Sequence, residues 1–305
     1  QHLAVVVMLG VLVLIFLLAG SELTTQARNL VVKFRASTAS IWLALGQDDA
    51  IWALLKHDPD PTLRTRLIHR LSPFVIDANE ILPALGKQSD VSTRRAMLLL
   101  AGELAAEPNE QSGSAITREE VSPTLIQGLL KIFDADPDRG MHAAAEWSLL
   151  RYGQAPEVLR LIRSATAETI RGDRQWYLTS QGQTMVIVPG PAEFTMGALS
   201  GEASGDDEML HNQQIRRSFS IASKEITIAQ FGHFLAENRS HQYNPGQQPE
   251  LAPDCPQTYV SWYDAAAYCN WLSQKAGLAQ EQWCYLPNQE KGYAAGMTIA
   301  DDIFA

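Results

Sequence analysis

Three cysteines, Cys255, Cys269 and Cys284, are the residues best suited to bind a metal or carry out redox chemistry, and all lie in the last third of the sequence. They lack the CxxC spacing and the paired histidines of a zinc site. One interpretation is that they are small buried apolar residues. The other is that two of them form a disulfide outside the reducing cytoplasm. Because the count is odd, at least one thiol has no disulfide partner within the chain.

A second group of residues could bind a hard cation. Its members are Glu202, Asp206, Asp207, Glu208 and His211. Their oxygens would suit calcium, but the EF-hand spacing is absent, and a solvated acidic loop is the simpler interpretation. We therefore assign no catalytic, cofactor-binding or metal-binding residue from the sequence.

The composition is that of a folded protein with an acidic surface. Its 305 residues suffice for one large domain or two modest ones, and 46% hydrophobic with 19% charged residues is typical of globular chains. The net charge of -10 argues against a nucleic-acid partner, because phosphate binding needs clustered basic residues. The chain opens on Gln1 inside an apolar run, and we expect it to be an internal fragment of a longer protein.

The first element along the chain is this apolar run. Residues 3–20 contain no polar side chain, and as a helix they would span roughly 27 Å, close to the thickness of the hydrocarbon core. A signal peptide is the alternative, but the run is longer than a usual signal-peptide core. We predict a single-pass transmembrane helix within residues 1–22, so that one partner is the membrane. Basic residues after the run mildly favour a cytoplasmic C-terminal side, but that side stays open.

Helical hairpins are predicted over residues 23–165. Residues 51–72, 81–102 and 129–150 each contain an apolar helix, a short polar turn with an aspartate, and a second apolar helix. This pattern is similar to that of HEAT repeats, which stack into an all-α solenoid.

Each hairpin carries an aspartate that can cap its second helix, followed four positions later by a basic residue or a histidine. The pairs are Asp60/Arg64, Asp90/Arg94 and Asp138/His142. His57, His69 and His142 also lie on these hairpins, and we interpret them as surface or packing residues and not as metal ligands.

Short strands are predicted from residue 172 onward, followed by two helices. Residues 185–188 and 192–196 are extended on either side of a Pro-Gly-Pro turn, and residues 215–227 are strand-like. Capping boxes at Thr227/Gln230 and Ser261/Asp264 predict two helix N-termini, and Gly277 suits the end of the second helix. Apolar residues on the helices are expected to pack inward: Phe231, Phe234 and Leu235 on the first, Tyr268, Trp271 and Leu272 on the second.

Four motifs in order within residues 172–305 resemble the first half of the sulfatase-modifying-factor family, which includes the formylglycine-generating enzymes. The motifs are F-x-M-G at Phe194, Met196 and Gly197; an acid and a histidine at Glu208 and His211; F-x-I-x-x-x-E-x-T-x-x-Q-F from Phe219 to Phe231; and V-S-W-x-D-A-x-A-Y-C-x-W-L from Val260 to Leu272. The resemblance implies an α+β, C-type-lectin-like fold with long ordered loops.

The later motifs of this family are absent from the sequence. We therefore expect a truncated domain whose apolar surface, including Trp262 and Trp271, is partly exposed. In catalytic members the copper-binding cysteines and the calcium sites lie in that later half, so the resemblance implies copper and calcium only for a longer catalytic parent. Cys269 matches a structural position of the family. It also lies mid-helix, where a thiol lacks the basic neighbour or helix N-terminus that activates a nucleophile.

The sequence thus predicts a multidomain chain: a transmembrane helix (1–22), an all-α HEAT-like solenoid (23–165) and a truncated α+β sulfatase-modifying-factor domain (172–305). Three functions stay open. The favoured one is a membrane-anchored binding or sensory module with a protein or peptide partner, as in bacterial relatives fused to a Ser/Thr kinase, although no kinase motif is present here. The second is an oxidase that uses copper to convert a cysteine of a sulfatase polypeptide to formylglycine. The third is a docking scaffold made of the helical repeats.

Overall fold

A computed structural model describes residues 48–70, 77–105, 122–164, 172–197, 209–244 and 251–300 of the chain. The chain divides into two compact units, one comprising residues 1–136 and 140–158 and the other residues 137–139 and 159–305. The first is helical in its described part, and the second combines small sheets with two helices.

The first six described helices form the three predicted hairpins, and a seventh helix follows them. Their bounds are α1 (Asp48–Leu54), α2 (Thr62–Arg70), α3 (Ala78–Leu85), α4 (Val91–Leu104), α5 (Pro123–Ala135), α6 (Arg139–Arg151) and α7 (Ala155–Ser164). Helix α2 contacts α4, and α3 contacts both α4 and α5, so equivalent helices of successive hairpins lie against one another. The hairpins are confirmed, whereas their relation to HEAT repeats stays a prediction.

Aspartate carboxylates bond backbone N–H groups at the start of the second helix in the first two hairpins, as predicted. The Asp90 carboxylate accepts a hydrogen bond from the backbone N–H of Thr93 at 2.8 Å and is the N-cap of α4. In the first hairpin, the carboxylate of Asp60 accepts from the backbone N–H of Thr62 at 3.0 Å. Such bonds satisfy amide groups that have no partner inside the helix.

Polar side chains tie α6 to α4 inside an apolar core. The Ser148 hydroxyl donates to the carbonyl of Leu98 at 2.6 Å, and the Tyr152 hydroxyl donates to the carbonyl of Ala101 at 2.7 Å. His142 is fully buried, stacks on Phe133 and contacts its carbonyl oxygen, which confirms it as a packing residue. His57 and His69 are exposed, as predicted for surface residues. The buried apolar residues of this core include Ile51, Leu67, Met97, Leu100, Leu129 and Phe133.

The second unit contains short antiparallel strands and two helices. Strands β1 (Trp176–Leu178), β2 (Thr184–Val188) and β5 (Phe219–Ala222) form one sheet in that order, and β3 (Ala192–Met196) pairs with β4 (His211–Ile215). Helices α8 (Ile228–Glu237) and α9 (Trp262–Lys275) follow, and the ribbon of β6 (Tyr285–Leu286) and β7 (Thr298–Ile299) comes last. The α+β class is confirmed for this unit, and the C-type-lectin-like relation stays a prediction.

One predicted strand is interrupted. Residues 215–227 do not continue as a single extended segment, because a turn at residues 216–218 separates β4 from β5. The Ser218 hydroxyl in this turn accepts a hydrogen bond from the backbone N–H of Gly190 at 3.0 Å. That contact holds the turn against the Pro-Gly-Pro segment, and consequently β4 and β5 belong to different sheets.

Aromatic rings of α8 and α9 form the core of the second unit. Phe231, Phe234, Ala267, Tyr268 and Trp271 are buried together. The expected exposure of Trp271 is therefore wrong: it is only 4% exposed, because its ring lies against Phe234 and its indole N–H donates to Glu237 at 3.0 Å. The expected exposure of Trp262 is confirmed, at 54%.

The predicted transmembrane helix, within residues 1–22, lies outside the described part of the chain. Among the residues that the structure describes, none of the helices combines the length and the apolar character that a bilayer crossing requires. Residues 3–20, where the crossing is predicted, are not among them.

Candidate functional site

The three cysteines are free thiols in the second unit. Cys255 is half-buried in the loop before α9, Cys269 lies within α9, and Cys284 immediately precedes β6. The interpretation of all three as buried apolar residues is wrong for Cys269 and Cys284, which are exposed. Cys269 projects away from the buried stripe of α9 that contains Tyr268 and Trp271.

Cys269 has a thiol that resists ionisation. Desolvation, and then the neighbouring Cys284, raise its pKa above the ordinary value. The residue as a whole reaches solvent, so it is accessible even though surrounding atoms shield the sulfur from full hydration. A raised pKa lowers the fraction of thiolate at neutral pH, which slows but does not abolish nucleophilic attack by this sulfur.

Four aromatic residues lie around the N-terminus of α9, and we call them the aromatic surface: Tyr259, Trp262, Tyr263 and Tyr285. The first three are exposed, and Tyr285 is half-buried. Trp262 meets the edge of Tyr285 with ring centroids 5.5 Å apart. Tyr259 is 62% exposed and has a φ of 57°, in the left-handed region that non-glycine residues seldom adopt. Such strained backbone positions cluster at ligand-binding sites.

A network of hydrogen bonds fixes the helix end that carries the aromatic surface. The Asp264 carboxylate accepts from the backbone N–H of Ser261 at 2.9 Å and from its hydroxyl at 2.6 Å. Its other oxygen lies 2.7 Å from Nε2 of His241, which follows α8. Burial would raise the pKa of Asp264, but the bonds from Ser261 and His241 more than offset it, so the pKa is lowered. The ionised carboxylate therefore holds both partners.

Asn270 joins α9 to the last ribbon of the unit. Its side-chain N–H groups donate to the carbonyl of Tyr285 at 2.6 Å and to the hydroxyl of Tyr293 at 2.7 Å. Its side-chain oxygen accepts from the backbone N–H of Tyr285 at 3.4 Å. Because Asn270 is only 1% exposed, these bonds form away from competing water. They hold Tyr285 beside the helix that carries Trp262.

A cleft of about 360 Å³ lies in the helical unit, between α1 and the start of α2. Arg64 contributes to it and donates through Nη2 to the carbonyl of Ser92 at 3.1 Å. Its buried Nε has no hydrogen-bond partner among the residues that the structure describes. Burial, followed by the like charge of Arg95, lowers the pKa of Arg64. The residues lining the cleft are Ala53, Leu54, Lys56, His57, Asp58, Asp60, Leu63 and Arg64.

Comparison with protein families identifies a known domain in the second unit. Residues 175–301 match the model described as the sulfatase-modifying factor enzyme 1-like domain. This stretch of the chain is a sulfatase-modifying-factor domain. Neither the curated proteins nor the solved structures include one that matches the chain. The resemblance inferred from the four motifs is thereby confirmed for this domain.

The Cys269 thiol is poorly suited to bind copper. Copper sites of the kind implied by the family need thiolate ligands, and the pKa of the Cys269 thiol is shifted toward the protonated form. Within the ranges that the structure describes, no three or more His, Cys, Asp or Glu residues lie close enough together to hold a metal ion.

Most of the acidic residues that could bind calcium lie outside the part of the chain that the structure describes. Glu202, Asp206, Asp207 and Glu208 are not among the described residues, and the calcium interpretation stays untested. His211 begins β4, is exposed, and places Nδ1 2.7 Å from the carbonyl oxygen of Met209.

Several residues of the site escaped the sequence reasoning. The aromatic side chain of Tyr259, next to a predicted capping box, could have suggested a binding residue. Its positive φ could not be predicted from the residue types. His241 and Asn270 act through partners 23 and 15 residues away, which local spacing does not reveal.

Proposed function

We propose that the sulfatase-modifying-factor domain of this chain is a binding module for polypeptides and that the aromatic surface is where they bind. The observation that carries the proposal is Trp262, which is 54% exposed and has its ring held against that of Tyr285. Tryptophan and tyrosine contribute large contact areas at little cost in side-chain entropy, and they dominate the binding energy of protein interfaces.

Rigidity of the aromatic surface supports the same proposal. The capping box of Ser261 and Asp264 fixes the start of α9, and Asn270 fixes Tyr285 against Trp262. A surface ordered before binding loses less entropy when the partner arrives. We favour a module without its own chemistry because the pKa of the Cys269 thiol is raised, which disfavours the thiolate that copper binding needs.

We further infer that the module belongs to a membrane-anchored protein of the kind in which a kinase is joined to such a domain. The unbroken apolar run at residues 3–20 supports the anchor, and the helical hairpins would then be HEAT-like spacers. The role would be sensory if binding of a polypeptide to the module changed the helical hairpins and, through them, the membrane anchor.

Selection of peptides from a display library on the full chain tests the module. The peptide with the highest affinity is then titrated against the wild type, Trp262→Ala and Phe194→Ala. Phe194 is a matched control, since it is an exposed aromatic residue of the same unit on β3, outside the aromatic surface. We expect Trp262→Ala to weaken binding about 30-fold, as for an aromatic residue that contributes roughly 2 kcal/mol, and Phe194→Ala to leave it unchanged. Equal affinity for the wild type and Trp262→Ala would refute the proposal.

The helical unit supports a second candidate, a protein-docking scaffold. The cleft beside α2 carries Lys56 and Arg64, and the partnerless Nε of Arg64 would gain a hydrogen bond from a carboxylate ligand. Acidic peptides would then lose affinity for Arg64→Met but not for Lys87→Met, which removes an exposed charge after α3. Loss with both variants would indicate general electrostatic attraction and count against the cleft.

A further inference from the structure

Two exposed thiols occupy equivalent places on neighbouring segments of the second unit. Cys269 directly precedes Asn270 on α9, and Cys284 directly precedes Tyr285 at the start of β6. Helix α9 and strand β6 are in contact. Both thiols are free, and both are open to small reagents from solvent.

Asn270 holds the two segments side by side. One side-chain amide bonds both the carbonyl and the backbone N–H of Tyr285, which fixes that residue in position and in direction. The buried bond to the Tyr293 hydroxyl fixes the amide in turn. Cys269 is bonded to Asn270 and Cys284 to Tyr285, so the Cα of each cysteine lies about 3.8 Å from that of a hydrogen-bonded residue. The bonds between Asn270 and Tyr285 therefore bring the main chains of the two cysteines close together.

The direction of two pKa shifts agrees with this placement of the thiols. Cys284 raises the pKa of Cys269. Burial, and then Cys269 and Cys284 together, raise the pKa of Tyr285. Charges in a solvated protein act on one another only over short distances, so Tyr285 and both sulfurs share one locality.

The third thiol lies in a different environment. Cys255 is half-buried, and its carbonyl accepts a hydrogen bond from the backbone N–H of Ile228 at the start of α8. Its backbone is thus fixed at the N-terminus of a different helix. Cys255 therefore serves as an internal control for the accessible pair.

We propose that Cys269 and Cys284 form a redox-active pair that a small-molecule disulfide of the glutathione type converts to an intramolecular disulfide. One cysteine thiolate attacks a sulfur of the small disulfide, forms a mixed disulfide and releases one thiol. The second cysteine thiolate attacks the protein sulfur of the mixed disulfide, closes the Cys269–Cys284 bond and releases the other thiol. The protein loses two hydrogens, and the small disulfide is reduced to two thiols.

Closure of this bond would tie the β6–β7 ribbon covalently to α9. The ribbon carries Tyr285, which contacts Trp262, so the oxidised state would hold these two members of the aromatic surface together. The proposal concerns the thiols alone and does not depend on what the aromatic surface binds.

Peptide mapping of the full chain tests the pair. The protein is equilibrated with excess oxidised glutathione, the remaining thiols are alkylated, and trypsin is used without reductant. Lys275 lies between the two cysteines, so their peptides separate unless a disulfide links them. We expect a linked Cys269–Cys284 peptide in the wild type and in Cys255→Ser. In Cys269→Ser and Cys284→Ser we expect no link and glutathione on the remaining partner.

Two outcomes would overturn the proposal. One is an oxidised wild type in which Cys269 and Cys284 each carry glutathione and no link forms. The other is a disulfide to Cys255. Because Cys255 and Cys269 share the tryptic peptide 240–275, it would be seen as a linked peptide in Cys269→Ser or as a bond within that peptide in Cys284→Ser. A separate melt measures the tether: the linked protein should gain about 5 °C or more in Tm over the reduced protein, because closing a loop constrains the unfolded chain. An unchanged Tm in a fully linked sample would overturn the tethering of the ribbon.

Discussion

Asp90 shows how a single residue at the start of a helix can stabilise the helical unit. Asp90 accepts hydrogen bonds from the Ser92 hydroxyl at 2.5 Å and from the backbone N–H of Thr93 at 2.8 Å. These bonds lower its pKa from 3.8 to about 2, the bond from Ser92 contributing most. The ionised side chain is therefore favoured by the folded state.

Replacing Asp90 by alanine should destabilise the helical unit by about 1 kcal/mol, the usual effect of losing an N-cap. The effect depends on pH in a defined direction. Since the folded-state pKa lies below the ordinary value, the cap stabilises fully above pH 3.8, and its contribution is lost as the pH falls toward 2. Urea melts followed by circular dichroism at several pH values measure it. Asp90→Asn keeps an N-cap acceptor, so it should retain most of the stability at neutral pH and lose the pH dependence.

Local hydrogen bonds were predictable from the sequence, and distant ones were not. The boxes at Thr227/Gln230 and Ser261/Asp264 join residues three positions apart, and both form as predicted. His241 meets Asp264 only because the chain returns from α8 to α9. The spacing of His241 and Asp264 in the sequence does not predict that they are in contact.

Helices in the first unit pack through close contacts that depend on glycine. Gly102 of α4 lies against the ring of Trp147. A Cβ atom at this position would also lie 2.9 Å from the Ser148 hydroxyl oxygen. A methyl group there would overlap with the ring. Gly232 of α8, by contrast, has open space around the equivalent position.

Gly102→Ala should therefore destabilise the chain by about 1–3 kcal/mol, because overpacking outweighs the gain in helix propensity. Gly232→Ala is the matched control. It should stabilise by about 0.5–1 kcal/mol, since only the propensity term applies. Chemical denaturation of both variants measures the difference. If Gly102→Ala were as stable as the wild type, the close approach of α4 and α6 would be contradicted.

Hairpins were more predictable than strands for a physical reason. Apolar residues repeat over several turns in each helix, so the helical signal accumulates. Strands β1, β6 and β7 have three residues or two, too few for an alternation to be recognised. Hydrogen-bonded partners elsewhere in the chain fix them instead, as Asn270 does for β6.

The whole molecule combines a helical part with a sulfatase-modifying-factor domain, and the proposed anchor precedes both. An arginine near the centre of a membrane helix costs about 3 kcal/mol. Leu12→Arg combined with Ile15→Arg should therefore release the full chain from membranes under an alkaline wash, whereas Leu12→Ala with Ile15→Ala should leave it bound. Release of the wild type under the same wash would contradict the anchor.

Binding of polypeptides at the aromatic surface is the central claim, and hydrogen–deuterium exchange of the full chain tests it most directly. The chain is compared with and without a saturating concentration of the selected peptide. The account predicts slower exchange of the amides of residues 259–263 and 284–286, around Trp262 and Tyr285. With the peptide at about ten times the wild-type Kd, the slowing should be much smaller in Trp262→Ala, because 30-fold weaker binding leaves only about a quarter of the sites occupied. Slower exchange confined to residues 53–64, along the cleft of the helical unit, would contradict it.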